Sequence, residues 1–103
     1  MEFIESVLFT KYVYNYISDD EYSSLQRFLS FHPKNGDLIP GGGGVRKIRW
    51  QAQGKGKRGG IRIIYYFVGK RDEIWFLSIY AKNELTDISK EILAQLKKEI
   101  KNA

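Results

Sequence analysis

The chain has 103 residues, of which 43% are apolar and 28% are charged. This length and balance are typical of one globular unit with a modest core, so we expect a single domain over residues 1–103. No stretch approaches the ~18 consecutive apolar residues that can span a bilayer, and the N-terminus lacks the basic start of a secretory signal. The absence of cysteine excludes a disulfide framework and thiolate chemistry. Composition therefore favours a soluble, cytoplasmic protein with no membrane partner.

The net charge of +5 is concentrated in the middle of the chain. Residues 1–31 hold five acidic and two basic side chains, whereas residues 41–82 hold ten basic and two acidic ones. The densest part carries no acidic residue and seven basic ones, which are Arg46, Lys47, Arg49, Lys55, Lys57, Arg58 and Arg62. Such a cluster attracts a polyanion, and RNA or DNA is the leading candidate. A basic surface that only improves solubility is the alternative.

The beginning of the chain predicts a short strand and a first helix. Residues 2–8 alternate loosely and fit a strand with Phe3 and Val7 facing inward. The next segment carries apolar residues at helical spacing, which are Phe9, Val13, Tyr16 and Ile17. Its tyrosines and β-branched residues leave a strand open as the alternative.

A second helix has a clearer beginning and end. Ser18 followed by Glu21 is a capping-box pattern, with acidic residues in the first turn where the helix dipole favours them. The apolar face of this helix consists of Tyr22, Leu25, Phe28 and Leu29. We expect the helix to run to about Phe31, because Pro33 stops it.

Residues 33–44 are predicted to form a loop, since they contain both prolines and five of the ten glycines. The four consecutive glycines, 41–44, fit either a flexible hinge or a stretch of backbone that must lie against something. The sequence leaves both possibilities open.

Three strands are predicted after this loop. Residues 45–51 alternate with one apolar face, whereas residues 61–68 and 73–80 are nearly continuous apolar runs. A glycine–lysine connection at 54–60 and a turn at 69–72 join the strands. Short connections of this kind predict an antiparallel meander.

A closing helix is expected to begin at a cap formed by Asp87 or Ser89. Its buried face is predicted from a four-residue repeat of Ile88, Ile92, Leu96 and Ile100. Its exposed face is expected to carry Lys90, Lys97, Lys98 and Lys101. The order β-α-α-β-β-β-α predicts an α+β domain with the helices packed on one side of a small, twisted sheet.

Several kinds of catalytic site lack the residues that they need. His32 is the one histidine, and it stands beside Pro33 at the end of a helix, where a structural role is favoured. No spacing of carboxylates suggests a metal pair, so neither a metal nor another cofactor is expected. No motif supports a serine–histidine–aspartate site.

The basic and tyrosine-containing strands remain as the candidate site. Arg62 interrupts an isoleucine-rich strand, so its charge must reach the sheet surface or bind a ligand. Tyr80 and Lys82 stand at the end of the last strand, where they can come close to Arg62 on a neighbouring strand. Lys55 and Lys57 fit solvated turn lysines as well as ligand contacts. The other aromatic residues of the strands are expected to belong to the core.

Such an array can either cleave RNA or hold nucleic acid without catalysis. Cleavage requires loss of the proton from the 2′-oxygen, stabilisation of the pentavalent phosphate and protonation of the 5′-oxygen. Clustered cations supply the second requirement. The residues alone do not decide between a nuclease and a binding module.

Three segments carry a family resemblance, and they are GDLIPGGGGVRKIRW, GKGKRGGIRIIYY and LSIYAKNELTDIS. In this order and spacing they resemble the RelE/HigB family of toxins from bacterial toxin–antitoxin modules, most closely the HigB-like branch with two N-terminal helices before the sheet. The resemblance covers nearly the whole chain and implies a RelE-like fold. It also implies a metal-independent, ribosome-dependent endoribonuclease that cuts translated mRNA in the A site by 2′-hydroxyl attack, leaving a 2′,3′-cyclic phosphate. The implied partners are the ribosome, mRNA and a helix-turn-helix, HigA-like antitoxin that neutralises the toxin.

The resemblance also implies roles for individual residues. The positions that match the family are Arg49, Lys55, Lys57, Arg62 and Lys82. Taken together with the charge cluster and the end of the last strand, they give a predicted catalytic set of Arg62, Lys82, Lys55, Lys57 and Tyr80, and a predicted RNA-binding set of Arg46, Lys47, Arg49 and Arg58. Many relatives carry a tyrosine in the C-terminal helix, and this chain has none there, so proton transfer is expected to fall to Tyr80, Lys82 or Glu84. A ParE-like toxin that inhibits DNA gyrase and a non-catalytic nucleic-acid-binding module are the alternatives.

Overall fold

The computed structural model describes residues 1–51, 60–84 and 88–100. Its elements, in chain order, are β1 (Glu2–Glu5), α1 (Val7–Tyr16), α2 (Asp19–Phe31), β2 (Asp37–Leu38), β3 (Arg46–Trp50), β4 (Ile61–Val68), β5 (Glu73–Ala81) and α3 (Lys90–Lys97), with a 3₁₀ turn at Gly69–Arg71. The predicted α+β class is confirmed. None of the helices in these ranges is long and apolar enough to cross a membrane.

The two N-terminal helices begin at serine caps. Ser18 Oγ accepts from the amide of Glu21, whose carboxylate accepts in turn from the amide of Ser18, so the predicted capping box is confirmed. The first strand is shorter than expected, because Ser6 caps α1 by accepting from the amide of Phe9. The inward orientation expected for Val7 is wrong, since this side chain is 78% exposed at the start of α1.

Within the described residues, the sheet has five strands in the order β1-β5-β4-β3-β2. β3, β4 and β5 form the predicted antiparallel meander. β1 pairs in parallel with β5, and the short β2 pairs antiparallel with β3 at the opposite edge. β2 lies in the segment that the sequence predicts as loop, and it places Asp37 opposite Lys47.

The helices cover both faces of the sheet, so the expected one-sided packing is wrong. α1 and α2 cover one face, where Phe9 stacks on Phe76 with 4.9 Å between ring centroids. α3 covers the other face, where Leu93 and Leu96 belong to a second buried cluster together with Ile64. The physical reason is that β4 and β5 are apolar along both faces, and each apolar face requires its own cover. We call the two sides the α1/α2 face and the α3 face.

A bulge in β5 changes which side chains share a face. Ile64 pairs with Ser78 and Tyr65 pairs with Phe76, which leaves Leu77 as the extra residue. Ser6 is 1% exposed, and its hydroxyl donates to the carbonyl of Leu77 at 2.7 Å. The cap of α1 therefore also satisfies a backbone group of the bulge.

The buried face of α3 differs from the predicted four-residue repeat. Ile92 is 43% exposed, whereas Leu93 is buried beside Leu96. A helix has 3.6 residues per turn, so residues spaced four apart shift gradually around its axis. The predicted repeat therefore places Ile92 on the wrong face. The predicted cap at Ser89 is confirmed, since its hydroxyl accepts from the amide of Ile92.

We predict that Ser6→Ala lowers the free energy of unfolding by about 2–4 kcal/mol, because it removes a helix cap and leaves the Leu77 carbonyl without its donor. Ser18→Ala is the matched control, since it removes an exposed cap alone and should cost only about 1 kcal/mol. Urea unfolding of both variants measures the difference. Equal losses would mean that the contact with Leu77 does not stabilise the bulge.

Candidate functional site

Three cations and a tyrosine lie on the α3 face, and together we call them the basic face: Lys47, Arg49, Arg62 and Tyr80. Lys47 and Arg49 flank Ile48, which belongs to the core under α1 and α2, so both point to the other side. In the sheet register, Arg49 is the Cα partner of Arg62, and Arg62 is the partner of Tyr80. Directly opposed residues have Cβ atoms about 4.5–5.5 Å apart. The proximity expected between Arg62 and Tyr80 is confirmed.

The bulge at Leu77 is what places Tyr80 beside Arg62. If the side chains of β5 alternated regularly through Leu77, Tyr80 would lie on the α1/α2 face and Ile79 on the α3 face. In the structure, Ile79 belongs to the core under α1 and α2, and Tyr80 belongs to the cluster under α3. The geometry of the basic face therefore depends on this irregularity.

Arg49 and Arg62 differ in their surroundings. Arg49 is exposed, whereas Arg62 is only 6% exposed among the residues under α3. Two like charges directly opposite each other in a sheet are unfavourable, and partial burial weakens the screening by water. A phosphate placed between two guanidinium groups relieves this repulsion, because it offers acceptors to both.

Lys82 lies at the same end of the strands as this arginine pair. It follows Ala81, the partner of Ile61, and its amide donates to the carbonyl of Gly60 at 3.3 Å. Its side chain is exposed. Lys82 therefore stands just beyond the row formed by Arg49, Arg62 and Tyr80.

An open cleft of about 170 Å³ lies along the outer part of the basic face. Lys47 and Arg49 line one side of it, and the segment from Asp37 to Pro40 lines the other. Asp37 enters the site because β2 pairs it with Lys47. The sequence gives no signal for this neighbour, since a strand of two residues has no detectable periodicity.

Arg46 does not join the basic face. It lies on the α1/α2 side of β3, and its Nη1 donates to the carbonyls of Lys34 and Gly36 at 3.1 and 2.8 Å. The hydroxyl of Tyr65 holds the same loop, since it donates to Pro33 O and accepts from the amide of Gly36, both at 2.9 Å. Arg46 thus orders the segment that leads into β2.

Three residues of the expected site, Lys55, Lys57 and Arg58, lie outside the described residues. His32 is described, and it stands at the C-terminal cap of α2 with its ring 5.1 Å from that of Phe28. This position agrees with the structural role expected for the histidine.

Glu84 closes the turn that carries Lys82. Its Oε1 accepts from the hydroxyl of Tyr16 at 2.6 Å and from the amide of Ala81 at 3.2 Å. The amide of Glu84 donates back to the carbonyl of Ala81 at 3.0 Å. Burial and the hydrogen bond to Glu84 raise the pKa of Tyr16 to about 12, so this hydroxyl remains a donor at neutral pH. A side chain of α1 therefore fixes the turn at the end of β5, which sequence spacing could not reveal.

A comparison of the sequence with protein-family models matches residues 9–103 to the RelE toxin of the RelE/RelB toxin–antitoxin system. Among solved structures, the fold is similar to that of E. coli toxin RelE, in a mutant with two arginines replaced by alanine and in the free state. That match has a TM-score of 0.57 at 13% sequence identity and covers 96% of each chain. Since the family match extends over most of the chain, this protein belongs to the RelE family of toxins from toxin–antitoxin systems.

Proposed function

We propose that this toxin is a ribosome-dependent mRNA endonuclease that inhibits translation by cutting the message in the A site. RelE-family toxins are in general endoribonucleases, which supports this reaction class. The antitoxin that the family membership implies is, in this proposal, a HigA-like helix-turn-helix protein. Placement in the HigB-like branch stays a prediction.

The observation that carries the proposal is the opposed pair Arg49 and Arg62 with Tyr80 beside it. This row offers two guanidinium groups and a phenol on one face of a sheet. Guanidinium groups bind phosphate oxygens in a bidentate manner, which suits a phosphodiester and the extra charge of its pentavalent transition state. No acidic residue occurs in the sequence between Arg46 and Arg62, so the cations of this face outnumber Asp37, which lies opposite Lys47, and attract a polyanion.

In the proposed reaction, the 2′-oxygen of the message forms a bond to the adjacent phosphorus while the bond to the 5′-oxygen breaks. The proton leaves the 2′-hydroxyl and a proton is delivered to the departing 5′-oxygen, so the products are a 2′,3′-cyclic phosphate and a 5′-hydroxyl. Arg49 and Arg62 stabilise the phosphorane charge. Tyr80 lies beside Arg62 in this row and Lys82 lies just beyond its end, and we assign the two proton transfers to them.

The ribosome explains how a site of this kind suffices. Holding reactants in the productive geometry contributes up to ~7–11 kcal/mol to lowering a barrier, and ribosomal RNA can supply this alignment for the message. The protein then has to add charge stabilisation and proton transfer. No metal has a part in this mechanism.

We predict that Arg62→Ala and Lys82→Ala each reduce cleavage of translated message by about 10²–10³-fold, because Arg62 stabilises the charge of the transition state and Lys82 takes part in proton transfer. Both substitutions should restore growth of cells that express the toxin. Arg27→Ala on the exposed surface of α2 is the control and should remain toxic. Primer extension on cellular mRNA measures the cuts, and circular dichroism verifies folding.

The same experiment tests the alternatives. If both variants are folded and fully toxic, the assigned site is wrong. If wild-type toxicity is accompanied by DNA breaks and uncut mRNA, a gyrase inhibitor of the ParE type replaces the nuclease. Intact mRNA and intact DNA would instead favour a module that only binds nucleic acid.

We predict that the purified toxin is nearly inactive on naked RNA, since the protein lacks the alignment that the ribosome supplies. A message fragment incubated with toxin alone should remain intact under conditions in which the same fragment on programmed ribosomes is cut. Gel analysis of both reactions gives the ratio of rates. Comparable rates with and without ribosomes would contradict the proposed dependence.

We predict that Glu84 positions the Lys82 turn and does not transfer a proton. Glu84→Gln keeps an oxygen that accepts from Tyr16 and Ala81, so cleavage should stay near the wild-type rate. Glu84→Ala removes that acceptor and should lower the rate by roughly tenfold to a hundredfold through misplacement of Lys82. Single-turnover cleavage on ribosomes measures both variants, and an inactive Glu84→Gln would identify Glu84 as an acid or base.

The pH range of this contact follows from the sign of the pKa shift. The pKa of Tyr16 is raised, to about 12, so the protonated hydroxyl is favoured in the folded state. Its contribution is complete below the ordinary tyrosine pKa of about 10 and is lost as the pH rises through about 12. The turn should therefore stay closed at every pH at which translation can be assayed.

A further inference from the structure

A second cationic concavity lies on the α3 face, between the glycine loop and α3. It has a volume of about 170 Å³, and we call it the glycine pocket: Gly41, Gly42 and Gly43 on one side, and Lys90, Leu93 and Lys97 on the other. None of its described lining residues is acidic. The nuclease mechanism above makes no use of these residues.

The glycines of this pocket are required by its geometry. Gly41 and Gly43 have φ angles of +72° and +64°, in the left-handed region that favours glycine. A Cβ atom on Gly43 would lie 2.6 Å from the Nζ of Lys97. The loop therefore presents bare backbone toward α3, where a ligand can approach closely.

The loop also has backbone donors to offer. The amide of Gly42 donates to the carbonyl of Ile39 at 2.9 Å. Among the described residues, the amides of Gly41 and Gly43 donate to no backbone oxygen. Successive backbone N–H groups in a turn of this kind form concavities that suit anions.

Lys97 is held in place by the pocket itself. Its Nζ donates to the carbonyl of Gly43 at 2.9 Å and lies 5.2 Å from the centre of the Tyr66 ring. An ammonium group has three donors, so further N–H groups remain for a ligand oxygen. The sequence places Lys97 on the exposed face of the closing helix, and in the structure its side chain is half-buried against the glycine loop.

The interaction of the Lys90 charge with the dipole of α3 is unfavourable. Lys90 is the first residue of α3, and the helix dipole favours negative charge at that end. Ser89 caps the helix and Glu91 is the acidic residue of its first turn, so Lys90 supplies neither of these contributions. Lys90 lines the pocket, where its ammonium group can bind an anion.

We propose that the glycine pocket binds a phosphodiester group of a nucleic-acid strand, as a second backbone contact apart from the arginine pair. The cleft beside Lys47 and Arg49 ends at Pro40, and the pocket begins at the next residue, Gly41. A strand that lies along the α3 face can thus reach both. This inference rests on the proposed function and adds the path of the substrate to it.

The test is fluorescence anisotropy with a labelled 12-nucleotide 2′-O-methyl RNA, which cannot undergo 2′-oxygen attack. Lys90→Gln should weaken binding by roughly threefold or more and lower the slope of log K against log salt by about 0.7, because one phosphate contact is lost. Lys98→Gln is the matched control, since this exposed lysine lies at the C-cap of the same helix and does not line the pocket. Thermal melting should show Lys90→Gln to be no less stable than wild type.

Amide NMR shifts then identify the ligand. The signals of Gly41 and Gly43 should move on addition of the oligonucleotide and stay in place with inorganic phosphate at the same phosphate concentration. Equal binding by the Lys90→Gln and Lys98→Gln variants would overturn the inference. Saturation of the glycine shifts by inorganic phosphate alone would overturn it as well, since the pocket would then serve a free anion.

A third variant separates this inference from the nuclease proposal. If Arg62→Gln leaves binding and cleavage unchanged while Lys90→Gln weakens binding, the arginine site fails and the glycine pocket stands. If Arg62→Gln abolishes cleavage while the Lys90 substitution has no effect on binding, the nuclease stands and the pocket fails.

Discussion

One buried hydrogen bond connects the fold to its candidate site. The hydroxyl of Ser6 donates to the carbonyl of Leu77 and caps α1 at the same time. Leu77 is the extra residue of a bulge, and a bulge exchanges the faces of every residue that follows it in the strand. After the bulge, the alternation of side chains in β5 therefore places Tyr80 beside Arg62 and Ile79 in the core under α1 and α2. The hydrogen bond between Ser6 and Leu77 thus stabilises the bulge that places Tyr80 beside the arginine pair.

The two faces of the sheet carry different kinds of side-chain contact. The α1/α2 face carries the aromatic stacking of Phe9 and Phe76, and Arg46 on this side is directed to loop carbonyls. The α3 face is apolar toward Val68 and cationic toward Arg49 and Arg62. α3 has only eight residues, so it covers only part of this face and leaves space for clefts and pockets beside it. Both faces thus carry a buried core, and the candidate ligand contacts are concentrated on the α3 face.

Local signals in the sequence predicted the elements well and the long-range contacts poorly. The capping box at Ser18 and the apolar runs of β4 and β5 depend on neighbours along the chain, and these predictions are confirmed. The charge of Arg62 within an isoleucine-rich run marks it in the sequence as a candidate site residue, and the register places it beside Tyr80. The bulge depends on a bond between residues that are 71 positions apart, and no local pattern encodes it. The same holds for the contact between Tyr16 and Glu84.

Two arrangements on the α3 face bring positive charge to positions where an anion can bind. Arg49 and Arg62 oppose each other as like charges, and Lys90 places a cation at the positive end of a helix. Sequences tend to avoid such local conflicts except at sites where function requires them. Both arrangements lie on the same face of the sheet, and both consist of positively charged side chains. A polyanion that runs along this face can neutralise both at once, whereas a small anion could neutralise only one. The placement of these cations therefore supports the proposed nucleic-acid strand, in preference to an isolated phosphate, as the ligand of this surface.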